Sequence, residues 1–498
     1  MFESTAPFMF FDYYRVPYKI SVPTDGRSED SFWGHVSNVS EGRATRRLSW
    51  PRVCGRAPTD PSSMRWGEYR LGRIPIFGRV LGDEHAAERL QGSSRWKAAE
   101  AITDGAGNRV ASIWRDRDGN VALPFDPGEL IENLWSERYV NPGSATTRLR
   151  RISTRIYYEV KPLLPRRLQV ALRQRFAKLQ TASFPRWPIE TAMAELSEWL
   201  FAEAVRLAGQ PVPWIAPWPN DFQWALVLTH DVETAEGCER ITDLRRIERE
   251  LGLVSSWNFV PLRYSVSDHT LRDLVAEGCE IGVHGLRHDG KDLQSLRTLR
   301  SRLPAIRAHA ERWGAVGFRA PATQRRWEWM PLLGFEYDTS YPDSDLYEPT
   351  PGGCCSYLPF INESTVELPI TLPQDHTVFA ILQHRDEALW IEKTEHIRSH
   401  GGMALVLTHP DYASDHRVID GYRALLSSVK EDPAMWHALP RDVSRWWRRR
   451  EASWIERSDD DWVIRGPAES DATLRYATTD APAFGTAHLS ESHERGTL

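Results

Sequence analysis

Two histidines four residues apart, His284 and His288 in Val283-His-Gly-Leu-Arg-His288, carry the first chemistry the chain offers. Imidazoles at that spacing can face one side of a helical turn and share a divalent cation. Spacing alone is weak evidence: 16 histidines in 498 residues make about 0.5 such pairs by chance, and a second pair, His396 and His400, is present. That second pair lies in a charged amphipathic stretch before Gly401-Gly402 and reads as helix-end electrostatics. The first pair differs in its company. Asp231 and Glu233 follow the apolar run WALVLT at 224–229, His284 follows 280–283, Arg319 follows 315–318, and His409 follows ALVLT at 404–408. Carboxylate, imidazole and guanidinium groups at the ends of separate apolar strands are what the carboxyl-end face of a parallel α/β barrel gathers for catalysis.

Those strands must alternate with helices. Strand-like runs at 224–229, 254–260, 280–283, 315–318, 377–382 and 404–408 are separated by helical stretches at 236–251, 269–277, 290–312 and 386–400. This alternation predicts parallel βαβ units and an α/β fold, an irregular or incomplete (β/α) barrel over 220–450. Ala225-Leu-Val-Leu-Thr-His230 recurs word for word as Ala404-Leu-Val-Leu-Thr-His409, which predicts two buried strands delivering polar groups to the same mouth. Before the barrel, residues 1–145 mix short apolar runs with turn signals and predict a smaller α+β region. Residues 146–219 predict a connector: a basic stretch from Arg148 to Arg175, a helix at 189–207, and a proline-rich extended linker at 211–219. Residues 451–498 form an extension whose low hydrophobicity predicts disorder from about 466.

Composition excludes several classes. A formal net charge of -6 gives no general field for nucleic acid. No run of about 18 apolar residues predicts a membrane span, and the N-terminal MFESTAPFMF lacks the basic start of a secretory signal. Five cysteines without a CxxC pair indicate neither a disulfide framework nor a thiolate metal site; the expected compartment is the cytoplasm. Twenty-one tryptophans could stack on sugars or fill cores, and filling cores is the commoner use. Arg445-Trp-Trp-Arg-Arg-Arg450 reads as a solvated helix face, with weak contact to anionic membrane headgroups as the functional alternative.

In chain order, Thr229-His-Asp231-Val-Glu233, His284-Gly-Leu-Arg-His288, Arg319-Ala-Pro321 and Leu407-Thr-His409 resemble the motifs of the polysaccharide deacetylases (NodB homology, carbohydrate esterase family 4), over about residues 220–450; Tyr337-Asp-Thr-Ser340 is a further similar segment. The resemblance implies a NodB-type barrel and a metal-dependent hydrolase that removes an N-acetyl group from an amino sugar or polysaccharide precursor. It implies a divalent metal, Zn²⁺ or Co²⁺, held by His284, His288 and Glu233, with Asp231 as general base, Arg319 pairing with Asp231, and His409 as general acid. The family's adjacent aspartates are here Asp231-x-Glu233, so the reverse assignment, with Asp231 on the metal, and loss of metal binding both stay open. A non-sugar amide or cyclic ureide hydrolase on the same barrel and an inactive sugar-binding homologue are the rival readings.

Overall fold

The computed structural model describes residues 2–21, 32–40, 43–53, 63–90, 95–140, 171–175, 177, 184–348, 350–459 and 461–479. Most of the basic stretch from Arg148 to Arg175, and the tail after 479, lie outside these residues.

The N-terminal region is built on a nine-stranded sheet in the order Tyr18–Ile20, Phe2–Ser4, Trp33–Ser40, Arg43–Pro51, Val121–Ala122, Arg109–Asp116, Trp96–Thr103, Met64–Leu71 and Ile74–Leu81. Helices Pro127–Trp135 and Ala192–Ala208 pack against it, and Phe11 of helix Met9–Tyr14 meets Phe2 and Tyr18 at its edge. Helix Ala192–Ala208 buries Met193, Leu196, Leu200, Ala204 and Leu207 and ends at Gly209 in the left-handed conformation, as its spacing predicts.

Two expectations for the flanks are corrected. Residues 211–219 are no free linker: Val212–Pro219 is a wholly buried strand paired antiparallel with Ala472–Ala477. Its prolines are tolerated because within its two-stranded sheet only one side is paired, while Trp214 and Trp218 enter the core. For the same reason the chain beyond 466 is ordered as far as the described residues run. The Arg445–Arg450 patch is likewise only half a solvated face. It lies on helix Pro440–Glu451, which buries Trp446, Trp447 and Arg450; Arg445 and Arg449 pair with Glu336 and Asp471.

The second large sheet holds the candidate residues. Its strands are β1 (Trp224–Val232), β2 (Ser256–Phe259), β3 (Glu280–His284), β4 (Gly317–Arg319), β5 (Tyr337–Asp338), β6 (Phe360–Asn362), β7 (Thr365–Glu367), β8 (Met403–Thr408) and β9 (Met435–His437). The order is β6-β7-β5-β4-β3-β2-β1-β8, with β9 beside the start of β1. Every pairing is parallel except β6 with β7. Beyond β7 the chain reaches the far edge: the Leu372 N–H donates to the Leu405 carbonyl, and the Thr371 hydroxyl bonds both Met403 and Leu405. Helices Ile241–Leu251, Asp268–Ala276, Leu296–Trp313, Ala388–Ser399 and His416–Val429 separate the strands, giving the α/β class. Residues 377–382, predicted as a strand, form instead the π-helix His376–Ile381, with the Asp375 carboxylate accepting from its first N–H; a short apolar run does not distinguish the two.

Candidate active site

Backbone register decides which groups face inward. In β1 the side chains of Thr229 and Asp231 point to one face and that of His230 to the other. His230 stacks on Trp257 at 4.0 Å and bonds Glu248 (2.6 Å) and Thr408 (2.8 Å). It is a buried structural residue on the helix side. The repeated word in β8 is shifted by one residue against β1, since Ala225 pairs with Met403 and His230 with Thr408. His409 therefore turns toward Asp231, where His230 does not. Both strands do deliver polar groups to one mouth, Asp231 and Glu233 from the first and His409 from the second, but His230 is not among them.

Asp231 is buried. Its Oδ1 accepts from Asn258 Nδ2 (2.9 Å) and Arg319 Nη1 (3.1 Å), and its Oδ2 lies 3.6 Å from His284 Nε2. Burial pushes its pKa up, but Arg319, His284, His409 and the Asn258 hydrogen bond together hold it below the ordinary aspartate value. The Arg319 guanidinium, itself fully enclosed, also donates to Thr229 Oγ1 and Thr339.

His284 ends β3. Its Nδ1 lies 3.1 Å from the Arg319 carbonyl, which can only accept, so Nδ1 carries the proton and Nε2 offers a lone pair. Burial, the largest influence, lowers its pKa to about 4 against the opposing pull of Asp231, leaving the ring neutral at pH 7. The turn that follows is not helical, contrary to expectation. Gly285 (φ 62°) and His288 (φ 53°) are left-handed, and residues 286–290 form bends. A Cβ at Gly285 would sit 2.5 Å from Asp292 Oδ2 and 2.6 Å from Pro321 Cδ, so only glycine fits between the two histidines.

His288 Nε2 lies 2.9 Å from Glu233 Oε1. The ligand atoms of Glu233, His284 and His288 are all within 4.8 Å of one another. Both Nε2 atoms are buried, and among the described residues neither makes a well-formed hydrogen bond. Two buried imidazole nitrogens and one carboxylate converging in this way fit three ligands of a divalent cation, with a further position left for water or substrate. Against the upward push of burial, His288, His409 and His284 hold Glu233 well below the ordinary glutamate value. Its backbone is fixed by Asp411, which accepts from the Glu233 N–H (2.9 Å) and the Thr234 hydroxyl.

His409 Nε2 is 3.9 Å from Glu233 Oε1, and its Nδ1 is 2.6 Å from Asp375 Oδ1; Asp375 Oδ2 accepts the His409 backbone N–H. Burial lowers the imidazole's pKa, but Asp375, then Glu233 and Asp231, outweigh it and carry it to about 10, so the ring is an imidazolium at neutral pH. Outward from it, Tyr412 lies edge-on to His409, and His376 packs tilted against Tyr412 with ring centroids 5.0 Å apart. Arg173, from the connector, reaches His376 and Glu348.

All six residues singled out from the sequence thus lie in one cluster. His396 and His400 lie apart from it at the end of helix Ala388–Ser399, against Tyr357. Sequence reasoning missed Asp375, Asn258 and Asp411. Asn258 left a trace, a polar residue set between the large apolar Trp257 and Phe259; Asp375 follows no strand and left none.

No protein-family model and no curated protein matches the chain. Among solved structures it is similar to a candidate polysaccharide deacetylase from Mycobacterium smegmatis, with 20% identity, 49% of this chain and 98% of that one covered, and a TM-score of 0.39. It is also similar to PuuE allantoinase, with 16% identity, 46% and 92% covered, and a TM-score of 0.37. Peptidoglycan deacetylase PdaC from Bacillus subtilis matches at 12% identity, 46% and 94% covered, and a TM-score of 0.32.

Proposed function

We propose that this chain is a metal-dependent hydrolase, on an incomplete barrel, that removes an N-acetyl group from an amino sugar or polysaccharide precursor. The observation that carries the reading is the convergence of Glu233, His284 and His288 between two charge-tuned groups, Asp231 with Arg319 and His409 with Asp375. Glu233, His284 and His288 would hold a divalent cation, Zn²⁺ or Co²⁺, which when bound supplies Lewis acidity to an acyl oxygen and acidifies a water. Glu233 rather than Asp231 fits the third ligand, because its carboxylate converges with both imidazole nitrogens, whereas Asp231 gives Oδ1 to Arg319 and Asn258 and turns Oδ2 toward His284 alone.

Asp231, kept ionised, is the base that takes the proton of the attacking water. Arg319 fixes its orientation and keeps its proton affinity low. His409, kept protonated by Asp375, donates to the nitrogen leaving the acyl carbon; the C–N bond breaks, the amine departs neutral, and the acetic acid left behind, which keeps the second proton of the water, ionises to acetate on release. The acetamido sugar as substrate comes from the motif resemblance.

The test is acetate release from N-acetylhexosamine oligomers by the Zn²⁺- or Co²⁺-loaded chain, with a cyclic ureide in the same panel. His284→Ala should abolish turnover and stoichiometric metal together. Unchanged activity in His284→Ala, or sugar binding by the loaded wild type with no acetate formed, refutes the reading.

A further inference from the structure

The loop after β4 braces the candidate metal site. The Arg319 carbonyl fixes His284, and Pro321 packs against Gly285. Gln324 Nε2 donates to the Gly290 carbonyl at 2.8 Å. Within this loop Ala322 (φ 53°) and Thr323 (φ 48°) are consecutive left-handed residues that are not glycine, a conformation that persists only where surrounding contacts over-determine it. One of those contacts is internal to the barrel: the Ala320 N–H donates to Ser340 Oγ, which donates to Asp338.

The other contact comes from outside. Arg325, buried, donates from Nη1 to the carbonyls of Thr323 (2.8 Å) and Thr350 (3.2 Å). Its Nε and Nη2 meet the two carboxylate oxygens of Glu137 at 2.6 and 2.5 Å. Glu137 belongs to the N-terminal region, just past helix Pro127–Trp135, and is itself left-handed (φ 57°). Two residues on, Tyr139 donates its hydroxyl to the Gly353 carbonyl and accepts the Gly353 N–H. A bidentate carboxylate fixes the plane of a guanidinium as a single contact cannot, and that plane aims Nη1 at Thr323. Without Glu137 the buried charge of Arg325 loses its carboxylate partner.

We infer that Glu137 is a positioning residue for the candidate metal site: through Arg325 it holds the loop 320–325 that in turn holds the His284–His288 turn. The N-terminal region is then a working part of the site. This rests on the reading of Glu233, His284 and His288 as metal ligands.

The full-length chain and Glu137→Gln are compared by amide hydrogen exchange without added metal and by Co²⁺ titration. The variant should exchange faster in 285–290 and 320–325, with 225–231 and 403–408 unchanged. Its Co²⁺ affinity should be about tenfold weaker, as for loss of an outer support of a metal ligand, with the shape of the visible cobalt spectrum retained because the ligands are the same. If Glu137→Gln does not fold, Arg325→Lys, which keeps the charge and loses the fork, is read the same way. Unchanged exchange in the two segments, or a uniform rise across the molecule, overturns the inference. A wild type that takes up no Co²⁺ defeats the functional reading, and the exchange pattern still decides the role of Glu137.

Discussion

Replacing Asp375 by Asn should convert His409 from an acid that works across neutral pH into one that works only below it. The His409 ring is buried, and burial alone favours its neutral form; a bound cation would push the same way. Three carboxylates oppose this, of which Asp375, at 2.6 Å from Nδ1, is the strongest, while Glu233 and Asp231 act from farther off. With Asp375 in place the pKa is about 10. Without its charge the remaining influences balance at or below the ordinary imidazole value of roughly 6.5. At pH 8 the protonated fraction then falls from nearly all to about 3%, a loss of about 30-fold in kcat/KM, since each pKa unit is a factor of ten. The sign is fixed: the required form is protonated, so activity is lost as pH rises through the pKa, and the basic limb must move to lower pH. Acetate release by the metal-loaded variant and wild type, measured from pH 5 to 10, shows whether it does. The deficit should shrink toward pH 5. A basic limb that stays near pH 10, or a deficit equal at every pH, would mean that Asp375 merely orients the ring.

Two further substitutions probe the neighbouring supports. Arg319→Met takes the guanidinium from buried Asp231 and leaves Asn258 as its hydrogen-bond donor, which should cost about 3–5 kcal/mol of stability in urea unfolding. It should also raise the Asp231 pKa, because the largest of the influences that offset burial is gone, so that activity is lost at higher pH on the acidic limb; an unmoved acidic limb refutes the role given to Arg319. Gly285→Ala forces a Cβ toward Asp292 and Pro321 at φ 62° and should cost about 1–3 kcal/mol. Co²⁺ uptake should weaken with it, and uptake at wild-type affinity would show that the turn geometry does not set the site.

The clustering of the candidate residues was legible because strand ends announce themselves: an apolar run that stops at Asp231, His284, Arg319 or His409 marks the point where a buried strand meets the mouth. Supports are harder to read. Asp375 acts on His409 across 34 residues of sequence, from a segment whose apolar pattern fits strand and helix alike. Glu137 sits in a different layer from Arg325, 188 residues away, and nothing local to either residue predicts their meeting. The prolines of 211–219 pointed to a linker because their lack of N–H donors is visible in sequence, whereas the one-sided pairing that makes the lack harmless is not. Short strands such as β5 and β7, of two and three residues, carry too little periodicity to be seen.

The duplicated word ALVLTH shows where sequence identity stops being informative. Read as text, His230 and His409 are equivalent, each closing a buried strand. In the sheet the two copies lie side by side but offset by one residue, and in a strand one residue is half a period. Every matched pair is thereby sent to opposite faces. Leu226 and Leu228 of β1 pack with the helices, while their counterparts Leu405 and Leu407 join the other core. His230 becomes the partner of Glu248 behind the strand, and His409 the partner of Asp375 in front of it. The same imidazole thus gains two opposite environments from a single step of register. A sequence argument that ranks the two histidines must therefore count alternation from a paired neighbour, since the words themselves cannot separate them.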